Sequence, residues 1–454
     1  MSRTFRHWQM RTLALTIGGY ALYYFVRKNF SMAMPGLEAD LGISKTSLGI
    51  FLMLNGVIYG LSRFANGFLA DRINARLHMA GGLALCALAT IVFGFGADIV
   101  SLVTGESSGP VFTNSLVWFM GILWLLCGVL QGAGYPPCVR LLTHWVPPGE
   151  MATKMSIWNS SHSIGAGLVF ILCGYIMHNM GAPGTHAGAW KWCFWIPAGI
   201  ALAGSVFLYA FMRDTPSSVG LPELPNTTAK LKKPVDKSAE YRALLRERVF
   251  GNPVIWIIGG AKFCVYVVRF SMLDWGPTLL QQSKGVSLAQ AGWLVAFFEI
   301  VGIAGMLSTG WATDRFLKGY AHRMSVFCMA GAALSVLLFW QLPAGSPVWM
   351  LLATLGATGF FIYSSQALIT ISVSNQATKR VASTAAGFTG IFAYTSTILS
   401  GLGFGYIAEH HGWNLVFIIV FVTALLGMAF FLSIWRAKPH GYEEEPTPAK
   451  PNPA

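Results

Sequence analysis

Charge is what this sequence has least of. Only 11% of its 454 residues are Asp, Glu, Lys or Arg, against about 25% in an ordinary soluble domain. A chain this poor in charge cannot clothe two or three soluble domains, which its length would otherwise permit. The seven cysteines form no CxxC pair, so zinc and dithiol-redox frames are without support; they read as small apolar packing residues. No metal-ligand cluster, nucleophile motif or nucleotide-binding loop appears, which argues against an enzyme and implies no cofactor and no metal. The net charge is +13, yet no basic patch or motif for nucleic acid goes with it. A cleavable leader is not evident either, because the first apolar run carries Arg27-Lys28 and lacks the charged, apolar and cleavage regions in sequence.

What the sequence does have is apolar length. Hydrophobic residues make up 54%, and the mean hydropathy is +0.56. A bilayer crossing needs about 20 apolar residues. Twelve runs qualify, at roughly 12–35, 47–69, 78–97, 114–136, 155–177, 190–212, 252–274, 288–311, 324–341, 347–369, 384–408 and 413–436. Fifty glycines suit helices packed closely in lipid. The expected fold is therefore an all-α membrane protein of twelve transmembrane helices. An even count puts both ends on one side. The segments on that side hold 23 of the 31 Lys and Arg, whereas the opposite side holds Lys45, Lys191 and Lys284. This bias predicts a multi-pass inner-membrane protein with both termini cytoplasmic.

The chain divides into an N-terminal half (1–212), a polar cytoplasmic linker (213–250) with some amphipathic helix near Tyr241–Arg248, a C-terminal half (251–436) and a cytoplasmic tail (437–454). The halves repeat. Gly67-Phe-Leu-Ala-Asp71-Arg72 follows span 2, and Gly310-Trp-Ala-Thr-Asp314-Arg315 follows span 8. Asp314 lies 243 residues after Asp71, and Arg269 lies 242 after Arg27. Two independent pairs at nearly one offset indicate duplication. Two parallel six-helix halves with a midplane site between them describe the major facilitator architecture, whose span 2–3 loop the Gly-x-x-x-Asp-Arg run resembles. Asp71, Arg72, Asp314 and Arg315 are accordingly candidates for a conformational gate.

Arg27, Lys28, Arg63, Lys262 and Arg269 fall within spans or at their edges. Each cation costs ~2.5–3.5 kcal/mol at a helix centre, so they must face a wet cavity or a partner. Only Glu299 and Asp274 are available as carboxylates in the spans, with Asp274 expected at a helix end. The positive surplus points to an anionic substrate. Helical spacing puts Tyr20, Tyr24 and Arg27 on one face of span 1, and Lys262, Tyr266 and Arg269 on one face of span 7; Tyr59 and Arg63 pair likewise in span 2. An arginine fork can grip two phosphate oxygens, with tyrosine hydroxyls adding donors. A structural ion pair is the plainer reading of any one of these residues. Glu299 is a candidate charge partner, and Lys262 is as well placed to pair with it as to meet substrate. Lys28 lies about 100° around the helix from Arg27, a place for packing or snorkelling as much as for the cavity. His162, among small residues in span 5, is a candidate for substrate contact.

Several runs resemble a known family. Gly19-Tyr-Ala-Leu-Tyr-Tyr-Phe-Val-Arg27-Lys-Asn-Phe, Gln131-Gly-Ala-Gly-Tyr-Pro-Pro-Cys138, Trp158-Asn-Ser-Ser-His162, Arg213-Asp-Thr-Pro-Ser-Ser-Val-Gly-Leu-Pro and Tyr266-Val-Val-Arg269 with Asp274-Trp-Gly-Pro are similar to the organophosphate:phosphate antiporters, with the glycerol-3-phosphate carriers looking nearest. The likeness runs from residue 12 to about 436. It implies exchange of a phosphorylated metabolite (glycerol 3-phosphate, phosphoglycerate or sugar phosphate) for inorganic phosphate, by a protein that works as a monomer. It implies further that Arg27 and Arg269 bind phosphate, that His162, Tyr20, Tyr24 and Tyr266 line the site, and that Tyr363 and Tyr394 join them from spans 10 and 11. Arg63 stands where the glycerol-3-phosphate carriers have Lys, and Lys262 where they have an uncharged residue. The hexose-phosphate carrier's span-11 Asp and Lys fall on Ala386 and Thr389. A membrane sensor for an external sugar phosphate, or a facilitator for another organic anion, would use the same residues.

Overall fold

The structure is a computed structural model in which residues 3–70, 72–147, 150–181, 187–224, 239–377 and 381–438 are described. Asp71, residues 225–238 of the linker and residues 439–454 of the tail lie outside the described residues. No strand occurs among the described residues. Lipid offers backbone groups no partner, so each crossing segment closes its hydrogen bonds within a helix.

Among the described residues the helices group into twelve crossings. In the first half they are Arg3–Leu41, Lys45–Ala70, Ala75–Gly94 extended by Gly96–Thr104, Pro110–Gln131 continued by Tyr135–Trp145, Met151–Asn159 continued by Ser161–Asn179, and Ala189–Phe211. In the second half they are Pro253–Lys284, Leu288–Leu317, Ala321–Gln341, Val348–Gln376, Ala382–Thr397 running through a π turn at Ile398–Gly403 into Phe404–His410, and Trp413–Ser433. They are called spans 1 to 12 in that order. Eleven are recognisable as crossings from length and apolar content among the described residues. Span 1 is the exception, since Arg27, Lys28 and Asn29 interrupt its apolar run. Between the halves, the linker has a 3-10 turn at Pro216–Val219, and then a short helix at Ala239–Leu245 that tightens into a π turn at Arg246–Phe250.

Most helices outrun the apolar stretches that mark them. At a single end span 7 differs most: it continues to Lys284 rather than stopping near residue 274, with Pro277 inside it. The Gly276-Pro277 pair reads as a stop, but a proline within a packed membrane helix is tolerated when neighbours satisfy the freed backbone. Asp274 is consequently not at a helix end. It sits well inside span 7 and is 6% exposed.

Contacts join the halves from mid-bundle to the end opposite the termini, the distal end. Arg63 donates to the Tyr394 hydroxyl at 2.9 Å, Lys28 pairs with Asp274, Gln282 donates to Glu38 at 3.2 Å, and the Thr46 backbone N–H donates to Glu409 at 2.8 Å. Glycine allows the backbones to meet here. A Cβ on Gly292 in span 8 would lie 2.3 Å from the Phe170 carbonyl oxygen in span 5, and one on Gly49 in span 2 would lie 2.6 Å from the Gly401 carbonyl oxygen in span 11. Neither oxygen can retreat without moving its helix. Gly292→Val should therefore wedge the distal end open. Spin labels on Asn179 and Gly285 should move apart in that variant, and unchanged separation would show that the seam does not depend on backbone proximity.

Candidate functional site

The site is built around a bend in span 1. Val26 has non-helical angles, φ −99° and ψ 18°, immediately before Arg27. A break of this kind leaves backbone carbonyls short of donors. Gln131, at the end of the first segment of span 4, fills that need: its side-chain amide donates to the Tyr23 carbonyl at 3.1 Å and the Val26 carbonyl at 3.2 Å. Span 4 itself breaks over Gly132–Gly134 and restarts at Tyr135 with prolines in its first turn, where a missing N–H costs nothing.

Arg27 leaves the bend with its guanidinium 3.8 Å from the Tyr59 ring centroid and 5.6 Å from that of Tyr24. Arg269 comes from the other half and is buried. Its guanidinium lies 4.8 Å from the Tyr363 ring and 5.8 Å from that of Tyr266, and its Nη2 donates to the Tyr363 hydroxyl at 3.1 Å. Its Nε is buried with no partner. Both arginines thus rest on aromatic faces, with donors still uncommitted. Cation–π contact is worth about 0.5–2 kcal/mol, less than a buried guanidinium needs.

His162 lies between the two. Its ring is 6.0 Å from Tyr24 and stacked at 6.1 Å on Tyr363, with Nδ1 3.0 Å from the Ser163 hydroxyl. Both arginines act electrostatically on it, and both act on Tyr24. Glu299 is wholly buried and neither of its carboxylate oxygens has a hydrogen-bond partner of good geometry. The Tyr363 hydroxyl is its nearest polar influence, and the carboxylate acts electrostatically on both Tyr363 and Arg269. Glu299 thus acts electrostatically on Arg269 without forming an ion pair with it. The alternative pairing with Lys262 is not what the structure shows, because Lys262 Nζ reaches Thr389 Oγ1 at 3.4 Å and has Arg63 as its charged neighbour.

A second group of residues lies nearer the termini. Arg63 packs 3.5 Å from the Tyr135 ring centroid while bonding Tyr394, whose ring is 5.7 Å from Tyr59. The Tyr20 and Tyr59 hydroxyls are 3.4 Å apart. Tyr20 and Tyr24 keep the shared face that their spacing predicts, 5.7 Å between rings.

Lys28 points away from that face to Asp274, forming a buried bridge between the halves, which answers the open question of its role. Beside the bridge and Arg27 is a cavity of about 30 Å³, also lined by Asn55, Tyr394 and Thr397. This is room for a water but not for a phosphate ester. Arg72, Asp314 and Arg315 are exposed at the terminal end, remote from this centre. The span 2–3 loop is braced instead by Arg140, which donates to the Ala70 carbonyl at 2.5 Å and the Asp214 carboxylate at 3.0 Å, while Asp214 accepts from the Ala75 N–H. Tyr59, Gln131, Thr389, Arg140 and Asp214 were not singled out by the sequence as site or brace. Tyr59 gave a signal in its spacing from Arg63, and Gln131 and Asp214 lie in runs that carry the family resemblance, but none of these signals named a role.

Twelve helices in two pseudo-symmetric halves, with a cationic centre where the halves meet, define a non-enzymatic transporter of the membrane. The chain belongs to the major facilitator superfamily, whose profile matches residues 16–401 and 319–454, and within it to the organophosphate:phosphate antiporter group. It is 36% identical over 425 residues to the glycerol-3-phosphate transporter of Bacillus subtilis, covering 92% of this chain and 90% of that protein. It is 34% identical over 450 residues to a probable hexose phosphate transport protein of Chlamydia muridarum, covering 96% and 93%. The membrane sensor protein UhpC of Escherichia coli is 31% identical over 439 residues, covering 96% and 94%. In fold it resembles a bacterial homolog of the human lysosomal transporter Spinster in an inward-facing, unoccupied conformation, at 14% identity and a TM-score of 0.76, over 96% of this chain and 98% of that one.

Proposed function

We propose that this protein exchanges a phosphorylated metabolite for inorganic phosphate by alternating access. The observation that carries this reading is the arginine pair: one guanidinium from each half, laid on tyrosine faces, with the buried Nε of Arg269 left without a partner. A phosphate bridging them would satisfy both halves at once. His162, Tyr24, Tyr266 and Tyr363 then surround the phosphate, while Tyr20, Tyr394, Arg63 and Lys262 surround the rest of the ligand. The lysine and arginine bias supports cytoplasmic termini; with that orientation the distal contacts between the halves lie on the outer side, and substrate would enter from within.

Phosphate entering between the halves replaces their mutual repulsion with a shared anion, and the halves close around it. They then rock, release it on the far side, and accept a second anion for the return. Without an anion the paired cations oppose closure, which makes exchange obligatory. Arg72, Asp314, Arg315 and Asp71, the last outside the described residues, would serve the terminal-end gate. Nothing in this cycle needs a second subunit, so the monomer is the working unit.

Phosphate-loaded proteoliposomes of the purified protein should take up radiolabelled phosphate, and external organophosphates should compete. Sensing is the second reading, favoured by the resemblance to UhpC. Binding of a sugar phosphate with no phosphate counterflow would establish it instead. Uptake indifferent to phosphate but inhibited by simple carboxylates would point to another organic anion.

A further inference from the structure

Resting on the exchange reading above, we infer that the preferred substrate is a phosphorylated carboxylic acid, held at two poles: its phosphate by Arg27 and Arg269, its carboxylate by Arg63 and Lys262. The first argument is position. On span 7, Lys262 lies seven residues, about 10 Å, nearer the terminal end than Arg269 on the same face. On span 2, Arg63 lies 18 residues from the distal end at Lys45, whereas Arg27 lies 14 residues from the distal end of span 1 at Leu41. The two cations therefore share one level, on the terminal side of the arginine pair. Arg63 is the charged group that acts on Lys262. Tyr59 links the levels, with Arg27 over its ring and its ring edge-on to the Tyr394 that Arg63 holds.

The second argument is charge. The two carboxylates buried at mid-span already act on other cations: Asp274 pairs with Lys28, and Glu299 acts on Arg269. Arg63 and Lys262 have no carboxylate partner among the described residues; the Tyr394 and Thr389 hydroxyls hold them, with the Tyr135 ring against Arg63. Hydroxyls solvate a cation but do not neutralise it. Two like charges so placed in a low-dielectric interior repel strongly and call for an anion between them. Five cations against two carboxylates leave three formal positive charges. A simple phosphate monoester dianion covers two of them. A phosphate ester bearing one carboxylate covers all three, and a bisphosphate overshoots.

The test uses two esters of one skeleton. Glycerol 3-phosphate and 3-phosphoglycerate share the phosphate and differ in a hydroxymethyl against a carboxylate. Each is titrated against radiolabelled phosphate uptake into phosphate-loaded proteoliposomes. The expected result is half-inhibition by 3-phosphoglycerate at a concentration about tenfold lower or more, the worth of one charge-assisted hydrogen bond. Lys262→Met should bring the ratio to within about threefold, and Lys262→Arg, which keeps the charge, should largely preserve it. If the wild type exchanges phosphate but glycerol 3-phosphate competes equally or better, the two-pole inference is overturned while the exchange reading stands. If the wild type exchanges no phosphate, the exchange reading itself fails.

Discussion

Phosphate exchange should fall at least about 100-fold when either Arg27 or Arg269 is replaced by lysine. Charge is retained in both variants, so the loss isolates geometry. A guanidinium offers a planar fork that meets two phosphate oxygens together, whereas an ammonium meets them as a point. Losing one charge-assisted bond costs about 1.5–3 kcal/mol, and a bidentate contact contains two. The mounts matter as well. The Arg27 guanidinium sits over the Tyr59 ring, 3.8 Å from its centroid, and Arg269 is fixed by its bond to Tyr363; lysine reproduces neither placement. The measurement is counterflow in proteoliposomes carrying equal amounts of monodisperse protein. Near-normal exchange in both variants would rule out the clamp.

The second large effect concerns stability. Lys28 and Asp274 are each nine-tenths buried, with side-chain exposures of 8%, and the bridge they form ties span 1 to span 7. Asp274→Asn leaves the ammonium buried opposite a neutral amide. Breaking one partner of a buried pair costs about 3–5 kcal/mol. A thermal-unfolding midpoint several degrees lower in detergent is expected, together with weakened exchange. The double variant Lys28→Met/Asp274→Leu removes both charges and fills their volume, so it should recover more than half of the lost stability. Its transport need not recover, because the bridge also sets how the halves meet. If the single and double variants unfold alike, the bridge contributes nothing specific.

The helices were legible because the property that makes a crossing, some twenty apolar residues in a row, is written directly in the chain. Where the helices end was harder. Span 7 continues past Asp274 because residues 275–280 are buried against protein rather than lipid, with exposed Gln281 and Gln282 only near the helix end. The arginines and the stripe of Tyr20 and Tyr24 could be read from cost and spacing. The partners could not. Lys28 finds Asp274 across 246 positions, Gln131 caps carbonyls more than a hundred residues away, and Lys262 chooses Thr389 over Glu299. Such pairings depend on which faces the two halves present to each other, and periodicity within one helix carries no record of that.

The Lys28–Asp274 bridge bears on ancestry too. At the repeat offset of 242, the counterpart of Lys28 is Phe270 and the counterpart of Asp274 is Met32. Two identical copies would carry both charged residues in each, giving two crossed bridges, or in neither, giving none. The single bridge seen here joins residues that have no twins. It marks a point where the copies have ceased to be interchangeable, while the arginines beside it still record that they once were.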